Sequence, residues 1–295
     1  MGRSNSLARS ARAPTLVDVA KVAGVSPITV SRALGRPELV TAVTRRRVLE
    51  AVRATGYVPN LAAGALASSR SRLVAVFLPT IANSIFADTV QALTERLAAA
   101  GYQTLLGLTG YCPEQEEALL EAVLGRRPDG IVLTGTEHTQ TSRERLARVG
   151  IPVVEAWDLS AKPLDMQIGF SHEAVGQAVA DYLLGKGYRR ISVVTLDDPR
   201  GLRRYRSLEQ ALATQGVELL GMQILPAPAT LAVMGFGDLS SAAHSHPPLT
   251  TISIDGPRIG TAIAEALLAR IAEPTLARQP LRLDVGFEVV GRGSG

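Results

Sequence analysis

The sequence predicts a small all-α headpiece of the helix-turn-helix type, followed by an α/β body with doubly wound parallel sheets. Two observations predict this division. Residues 1–72 contain 12 Lys and Arg against 3 Asp and Glu, whereas residues 73–295 contain 19 against 24. From Leu73 onward, short apolar runs alternate with amphipathic helical segments, which is typical of parallel α/β architecture. A basic head on a mildly acidic body indicates that the head alone meets a polyanion.

Composition argues against several classes of protein. The single cysteine, Cys112, cannot form an internal disulfide, which indicates a reducing and hence cytoplasmic environment. The sequence has no run of about 18 apolar residues, so no membrane-spanning helix is predicted. The basic first residues include no apolar segment of the kind that a secretory signal needs. Four His and one Cys without close spacing argue against a zinc site. We therefore expect no metal and no membrane partner.

Two helices are predicted in the basic head. Thr15 is a good N-cap for the apolar-periodic run that follows it, and Gly24 can adopt the left-handed conformation that ends a helix. Ser26 is a second N-cap, and Pro27 follows at the first helical position, where proline is tolerated. Two short helices joined by a glycine-centred turn form a helix-turn-helix, although an ordinary small helical bundle fits the same pattern. A third helix is predicted at roughly 43–55.

The second helix is expected to contact DNA bases. In a helix-turn-helix this helix enters the major groove, and the residues at its N-terminal end reach the base edges. Pro27 and Ile28 offer apolar contacts, for example to a thymine methyl group, and Ser31 follows one turn later. Arg32 can bind guanine through two hydrogen bonds, worth about 1–3 kcal/mol of discrimination. A phosphate contact explains this arginine equally well.

The stretch TLVDVAKVAGVSPITVSRAL, followed by GYVPN and a short Ala/Leu segment, resembles the lac-repressor (LacI/GalR) family of bacterial transcription regulators. The resemblance implies a homodimer or tetramer that binds a pseudo-palindromic operator in double-stranded DNA. It also implies a hinge whose Leu66 wedges into the minor groove, unless this leucine packs on the body. Gly64 replaces an arginine common in the family and is a poor helix former. The DNA-binding residues expected here are Thr15, Ser26, Pro27, Ile28, Thr29, Ser31, Arg32, Asn60 and Leu66.

The resemblance further implies that the body is similar to periplasmic sugar-binding proteins, in which two lobes close on a small ligand. The predicted organisation is a disordered basic tail at 1–13, the helix-turn-helix headpiece at 14–58, a hinge at 59–72 and the effector-binding and dimerisation body at 73–295. Within the body, lobe 1 is expected at about 73–165 and lobe 2 at about 166–295, with crossovers of the chain between them.

Strands are predicted in the body at 73–79, 102–108, 130–135, 151–157, 190–196 and 231–236, with helices near 86–100, 114–124, 141–149, 172–185 and 203–215. The body has no Gly-x-Ser-x-Gly elbow, no phosphate-binding Gly-x-x-x-x-Gly-Lys and no Gly-x-Gly-x-x-Gly after its first strand. An enzyme is therefore not predicted, and no catalytic residues or cofactor are expected. A sugar-binding protein or sugar enzyme with an incidental basic N-terminus is the rival interpretation.

Ligands of doubly wound sheets bind beyond the carboxyl ends of the strands, so the candidate effector loops are 79–88, 134–140, 195–206 and 235–240. The family resemblance implies an aromatic contact from Phe86 and a polar contact from Arg204. Arg203 and Arg206 add to a basic cluster that suits a carboxylate, although a solvated run of charge is an equal alternative. The effector-binding residues expected here are Asn83, Phe86, Thr136, Glu137, His138, Arg203, Arg204 and Asp238.

Three stretches look most like the gluconate-utilisation repressor branch of the family: GYQTLLGLTGYCPEQEEALLEAVL, DGIVLTGTEHTQTSRERLARVGIPVVE and MQIGFSHEAVGQAVADYL. A sugar acid also agrees with the arginine cluster. The predicted function is therefore a transcriptional repressor that a sugar acid such as gluconate controls. An activator with the same fold is a further alternative, because the sign of regulation depends on the position of the operator.

One departure from the family pattern affects the second lobe. Thr230 meets Leu231 directly, where the family pattern implies roughly 45 further residues, more than the ~30 of one βαβ unit. We expect this shortened lobe to lose an inner strand and two covering helices, leaving an unpaired strand edge or a rearranged sheet. Two alternatives follow. A compact variant still responds to a ligand, or a damaged variant folds poorly or represses without responding to an effector.

Overall fold

The computed structural model of the chain describes residues 13–58, 70–81, 84–225, 234–273 and 280–294. The chain divides into two compact units, Met1–Ser71 and Arg72–Gly295. The first unit contains the headpiece and the second is the α/β body. Several predicted features lie outside the described residues: most of the basic tail and of the hinge, Asn60, Gly64, Leu66, Asn83 and the junction of Thr230 with Leu231.

The headpiece is a helix-turn-helix followed by a third helix, as predicted. Its helices are α1 (Leu16–Ala23), α2 (Pro27–Gly35) and α3 (Ala42–Thr55), with a 3-10 turn at Pro37–Leu39. The three helices bury one apolar face each in a core of small side chains, namely Val19, Ala20, Ala23, Val30, Ala33, Val48 and Ala51. Small side chains allow the axes of short helices to approach closely, so a unit of this size still has a packed interior.

The helix boundaries of the headpiece follow from local capping. Thr15 and Asp18 form a capping box, in which the Thr15 hydroxyl accepts from the Asp18 amide and the Asp18 carboxylate accepts from the Thr15 amide. Gly24 ends α1 with φ 61°, a left-handed conformation that side chains disfavour. Ser26 begins α2 by accepting a hydrogen bond from the Thr29 amide at 3.1 Å. The predicted caps of α1 and α2 are therefore confirmed.

The body alternates strands and helices. In chain order its described elements are β1 (Leu73–Leu78), a 3-10 turn (Ser84–Phe86), α4 (Ala87–Ala99), β2 (Gln103–Leu108), α5 (Pro113–Leu124), β3 (Gly130–Thr134), α6 (Gln140–Val149), β4 (Val153–Ala156), β5 (Met166–Gly169), α7 (His172–Gly185), β6 (Ile191–Leu196), α8 (Pro199–Thr214), β7 (Leu219–Leu225), β8 (Gly235–Phe236), α9 (Ser240–His244), β9 (Thr251–Ser253), α10 (Gly256–Ala272), β10 (Leu281–Asp284) and β11 (Glu288–Val290).

The first lobe is a parallel sheet in the order β10-β5-β4-β3-β1-β2. Both faces are covered, and β1 shows how: Val74, Val76 and Leu78 face the core cluster shared with α4 and α10, whereas Ala75 and Phe77 face the cluster shared with α5 and α6. This alternation follows from the two-residue period of a strand. Because β5 and β10 join this sheet, the lobe boundary lies after residue 169 and the chain later crosses back into the first lobe.

Helices α4 and α10 pack very closely on one face of that sheet. A Cβ built on Gly260 would lie 2.2 Å from the carbonyl oxygen of Thr89, so only glycine allows this approach of the two backbones. The sequence reading did not predict α10, although Asp255 caps it and Pro257 stands at its start. In the described part of the chain, no helix combines the length and apolar character needed to cross a membrane.

The second lobe contains two separate small sheets among the described residues. Strands β6 and β7 form one, and β8, β9 and β11 form the other. Helices α7 and α8 cover one face of the β6–β7 pair, while Leu220 on these strands is 60% exposed and Val194 and Met222 are also exposed. This division agrees with the expected loss of an inner strand, because a central strand would join two such halves into one sheet.

Some predicted boundaries in the second lobe were wrong. Helix α8 begins at Pro199 rather than near 203, because Asp198 caps it by accepting from the Arg200 and Gly201 amides. Within the predicted strand at 231–236, only residues 234–236 are described, and the strand there is 235–236. The strands β5, β7, β9, β10 and β11 were not predicted.

Candidate DNA-binding surface and effector pocket

The exposed face of α2 presents the predicted base-reading residues to solvent. Pro27, Ile28, Ser31 and Arg32 are exposed, and Ile28 is 65% exposed despite its large apolar side chain. The opposite side of the helix is buried in the headpiece core through Val30 and Ala33. These exposed side chains are available to contact another molecule, and in a helix-turn-helix the second helix is the one that enters the major groove.

Three of the predicted DNA-binding residues hold helix ends as well. The Thr15 hydroxyl donates to the Asp18 carboxylate at 2.6 Å, and the Ser26 and Thr29 hydroxyls lie 2.8 Å apart. These contacts fix the first turns of α1 and α2. Their backbone amides and hydroxyls at the helix starts are also the groups that DNA-binding proteins use on phosphates.

Arg47 holds the turn between α1 and α2. Arg47 is exposed with Arg45 and Arg46, as the pattern of α3 predicts, and the end of its side chain reaches the turn, where Nη2 donates to the Ala23 carbonyl at 2.7 Å. The same nitrogen would lie 3.0 Å from a Cβ built on Gly24. A guanidinium at the carbonyl end of a helix is favourable for the helix dipole. Arg47 therefore fixes the turn between α1 and α2 and so the orientation of α2.

A pocket in the body lies at the carboxyl ends of β1, β2, β3, β4 and β6, where parallel sheets place ligands. Its lining residues are Pro79, Thr109, Tyr111, Cys112, Pro113, Glu116, Thr134, Gly135, Thr136, Glu137, Asp158, Asp198, Pro199 and Arg200. The first lobe supplies most of this wall, and the second lobe supplies the start of α8. The pocket is therefore an opening between the lobes.

The predicted effector residues take different places around this pocket. Thr136 and Glu137 line it. Phe86 is buried, with its ring 5.0 Å from that of Trp157 in an edge-on arrangement. His138 and Asp238 are not among the lining residues.

Charged groups of the pocket are arranged in pairs. The Asp198 carboxylate pairs with the Arg200 Nε at 3.1 Å, and the Arg200 guanidinium lies 5.8 Å from the Tyr111 ring. The Asp158 carboxylate accepts from the Thr136 hydroxyl at 2.9 Å and pairs with the Arg203 guanidinium. Burial raises the pKa of the Asp158 carboxyl, while Arg203 and the Thr136 hydroxyl oppose that rise.

Arg204 faces an aromatic and imidazole environment instead. Its guanidinium lies 4.3 Å from the Phe236 ring centre, and its Nη1 lies 2.9 Å from the His172 Nδ1. Burial, and then the neighbouring arginines, lower the pKa of His172 to about 2. His172 is therefore neutral: its Nδ1 accepts from Arg204, and its Nε2 donates to the Trp157 carbonyl at 3.1 Å. Burial lowers the pKa of Arg204 to about 10, which leaves it charged at neutral pH.

His138 lies inside the first lobe, between two buried carboxylates. Its Nδ1 is 2.7 Å from Glu116 Oε1, its Nε2 is 3.3 Å from Glu155 Oε1, and its side chain is fully buried. Burial alone would lower its pKa, but the hydrogen bond to Glu116 and the attraction of the Glu116 and Glu155 carboxylates together outweigh burial and raise the pKa to about 9. His138 is therefore a cation at neutral pH, and it reaches the pocket only through Glu116, which lines it.

Asp238 is engaged by the C-terminal part of the chain. Its two carboxylate oxygens accept from Arg292 Nη1 at 2.6 Å and Nη2 at 3.1 Å. The backbone turns sharply here, with φ 99° at Gly237 and φ 43° at Asp238. The two parallel hydrogen bonds occupy the oxygens that we expected to meet an effector.

Asp198 and Arg200 line the pocket within the predicted loop 195–206, although neither was named as an effector contact, whereas Tyr111 and Asp158 lie outside the predicted loops. Each lies within three residues of a strand end or in the first turn of the next helix, so the rule that selected the other loops applies to them as well. The loop after β2 was not considered, and Asp158 was hidden behind the apolar run that ends at Trp157. In the described part of the chain, no cluster of His, Cys, Asp and Glu is suited to holding a metal ion.

Comparisons with known proteins agree with both units. The family profile "Bacterial regulatory proteins, lacI family" matches residues 15–60. "Periplasmic binding proteins and sugar binding domain of LacI family" matches residues 71–227, and "Periplasmic binding protein-like domain" matches residues 212–294.

Curated relatives match almost end to end. The HTH-type transcriptional regulator GntR of Pseudomonas aeruginosa is 34% identical, over 97% of both chains. GntR of Escherichia coli K12 is 29% identical, over 95% of this chain and 98% of the relative. The alignment with the Pseudomonas protein covers 334 positions, more than the 295 residues of this chain. The relative therefore has residues without a counterpart here, in agreement with a shortened body.

Solved structures share the fold. A LacI-family transcriptional regulator from Silicibacter pomeroyi superposes with a TM-score of 0.84 at 29% identity, over 94% of this chain and 98% of the other. The lac repressor dimer bound to operator superposes with a TM-score of 0.79 at 21% identity, over 95% and 98% of the two chains.

Proposed function

The chain belongs to the LacI family of bacterial regulatory proteins and is a DNA-binding transcriptional regulator, and from this premise we propose that it represses transcription as a homodimer under the control of a sugar acid. Its relatives are named as regulators, so the interpretation as an enzyme is discarded. The observation that carries the DNA-binding part is the exposed face of α2, with Ile28, Ser31 and Arg32 free of the headpiece core. Two copies would read a pseudo-palindromic operator whose half-sites lie about 10 bp, or a multiple, apart.

The effector part of the proposal rests on the pocket. Arg200 lines it, and Arg203 and Arg204 lie behind it. Guanidinium groups bind carboxylates with two parallel hydrogen bonds, while Thr136, Glu137 and Glu116 offer partners for sugar hydroxyls. Gluconate or a close relative fits this combination, and the GntR-named relatives support it. The two sites are coupled by linkage. An effector that prefers one arrangement of the lobes changes the affinity for the operator, and operator binding changes the affinity for the effector by the same factor.

A second possibility is a regulator that binds DNA without responding to an effector. The division of the second lobe into two sheets favours it, because the inner strand that would carry a ligand loop between them is missing from the described residues. The engagement of Asp238 by Arg292 favours it as well.

A gel shift separates these proposals. The full chain is mixed with DNA from upstream of sugar-acid catabolic genes, with gluconate or with sorbitol as the neutral control. We expect the chain to shift this DNA, and we expect gluconate, but not sorbitol, to weaken the affinity of the chain for the DNA at least tenfold. A shift that neither compound changes would support the effector-insensitive regulator, and no shift with any such DNA would contradict this choice of operator. A footprint without two-fold symmetry would reject the dimer.

Arg32→Ala tests the recognition helix. We expect specific affinity to fall by about 1–3 kcal/mol, or roughly 5- to 150-fold, with relaxed specificity at one base pair. Arg148→Ala, an exposed arginine on α6 of the body, is the matched control and should change affinity less than twofold. An equal loss on specific and random DNA, with a salt slope smaller by about 0.9, would instead place Arg32 on a phosphate.

A further inference from the structure

An ion pair joins the two lobes directly behind the pocket wall. Asp158 follows β4 in the first lobe and lines the pocket, whereas Arg203 lies on α8 in the second lobe and is not among the lining residues. The Asp158 side chain is fully buried and that of Arg203 is 20% exposed. A carboxylate of the protein therefore lies between the pocket and this arginine.

The first lobe holds Asp158 in place without help from Arg203. The Thr136 hydroxyl donates to Asp158 Oδ2 at 2.9 Å, and the Leu159 amide donates to Oδ1 at 2.8 Å. Loss of Arg203 would therefore leave the Asp158 carboxyl with two hydrogen bonds from its own lobe. Arg203 is the partner that can be exchanged.

Arg203 is incompletely satisfied in this arrangement. Asp158 contacts its Nη2, and Glu173 lies 3.5 Å from its Nη1. The Nε of Arg203 is buried and has no hydrogen-bond partner among the described residues. A buried donor left without a partner is destabilising, because it has lost its hydrogen bonds to water. The Nε and Nη2 edge of a guanidinium is also an edge that a carboxylate can bind with two parallel hydrogen bonds.

We propose that Arg203 is the carboxylate anchor of the pocket and that Asp158 is its internal competitor: an acid effector replaces Asp158 at Arg203, bonds to both Nε and Nη2, and so breaks the ion pair between the lobes. This inference rests on the proposed control by a sugar acid. It explains how a pocket lined by several carboxylates selects an acid. A neutral sugar has no group that can take the place of Asp158, so it leaves the lobes paired.

Asp158→Asn in the full chain is the direct test, because it removes the competing charge and keeps the size of the side chain. Calorimetric titration with gluconate is expected to give at least tenfold tighter binding than the natural chain, with no gain for sorbitol. Glu173→Gln is the matched control: it removes the other carboxylate beside Arg203, outside the pocket, and should change gluconate affinity less than twofold.

Arg203→Gln is the second variant and decides the matter if Asp158→Asn does not fold, as judged by its thermal unfolding. We expect Arg203→Gln to bind gluconate at least tenfold more weakly, at the level of sorbitol. Unchanged gluconate affinity in this variant would overturn the assignment of the anchor.

The outcomes separate this inference from the proposed function. If the natural chain binds gluconate and a folded Asp158→Asn binds it no more tightly, the exchange is rejected while control by a sugar acid stands. If Asp158→Asn binds gluconate and the natural chain does not, competition between Asp158 and the acid for Arg203 is supported. If neither chain binds any sugar acid, the proposed effector class is rejected, and this inference with it.

Discussion

His138→Leu is expected to destabilise the α/β body by about 3–5 kcal/mol, because removal of one partner of a buried ion pair leaves uncompensated charge. Glu116 and Glu155 both lie within 3.3 Å of the His138 ring nitrogens, and both are buried. Urea unfolding followed by tryptophan fluorescence measures the effect. The chain has one tryptophan, Trp157, which is 3% exposed in the body. The fluorescence therefore reports on the body rather than on the headpiece.

The same residue predicts a pH dependence. The pKa of His138 is about 9 in the folded chain, against 6.5 for an ordinary histidine, so folding favours the protonated form. Its contribution is complete below about pH 6.5 and is lost as the pH rises through 9. The free energy of unfolding should fall by roughly 3 kcal/mol between these limits on this account, and His138→Leu should lack this loss.

An exposed histidine provides the control. His244 lies at the end of α9 on the surface of the body, and His244→Gln should change neither stability nor its pH profile by more than about 0.5 kcal/mol. A His138→Leu chain as stable as the natural one at pH 7 would show that the two glutamates do not depend on this imidazolium.

Gly24→Val should nearly abolish operator binding. Gly24 has φ 61°, where a side chain costs roughly 1–2 kcal/mol and a β-branched one more. The new Cβ would also lie 3.0 Å from Arg47 Nη2, which holds the Ala23 carbonyl. Displacement of that guanidinium removes a second constraint on the turn. We expect a loss of affinity greater than tenfold, measured by fluorescence anisotropy with labelled operator.

Gly35→Ala is the matched control for the turn. Gly35 is the last residue of α2, its φ is not positive, and a built Cβ meets nothing within 4 Å. Alanine at such a helical position is expected to stabilise by about 0.4–1 kcal/mol, so operator affinity should be kept. Equal losses in both variants would mean that the left-handed turn is not what orients α2.

Local chemistry allowed much of this molecule to be predicted from its sequence. Thr15, Gly24 and Ser26 set the ends of the first two helices through contacts with residues at most four positions away. The pocket also lies where the strand-helix alternation placed it, because parallel strands bring their carboxyl ends to one edge. The boundary of α8 was misplaced only because the cap at Asp198 was overlooked.

The partners of charged side chains were decided by the tertiary structure alone. Arg203 meets Asp158 across 45 positions of sequence, and Arg47 meets Ala23 across 24. His138 directly follows the pocket residue Glu137 yet turns inward, because α5 brings Glu116 beneath it. The charges, helices and strand ends were thus fixed by the order of the amino acids. Which charge neutralises which depends on distances through space, and those exist only after the sheets and helices have packed.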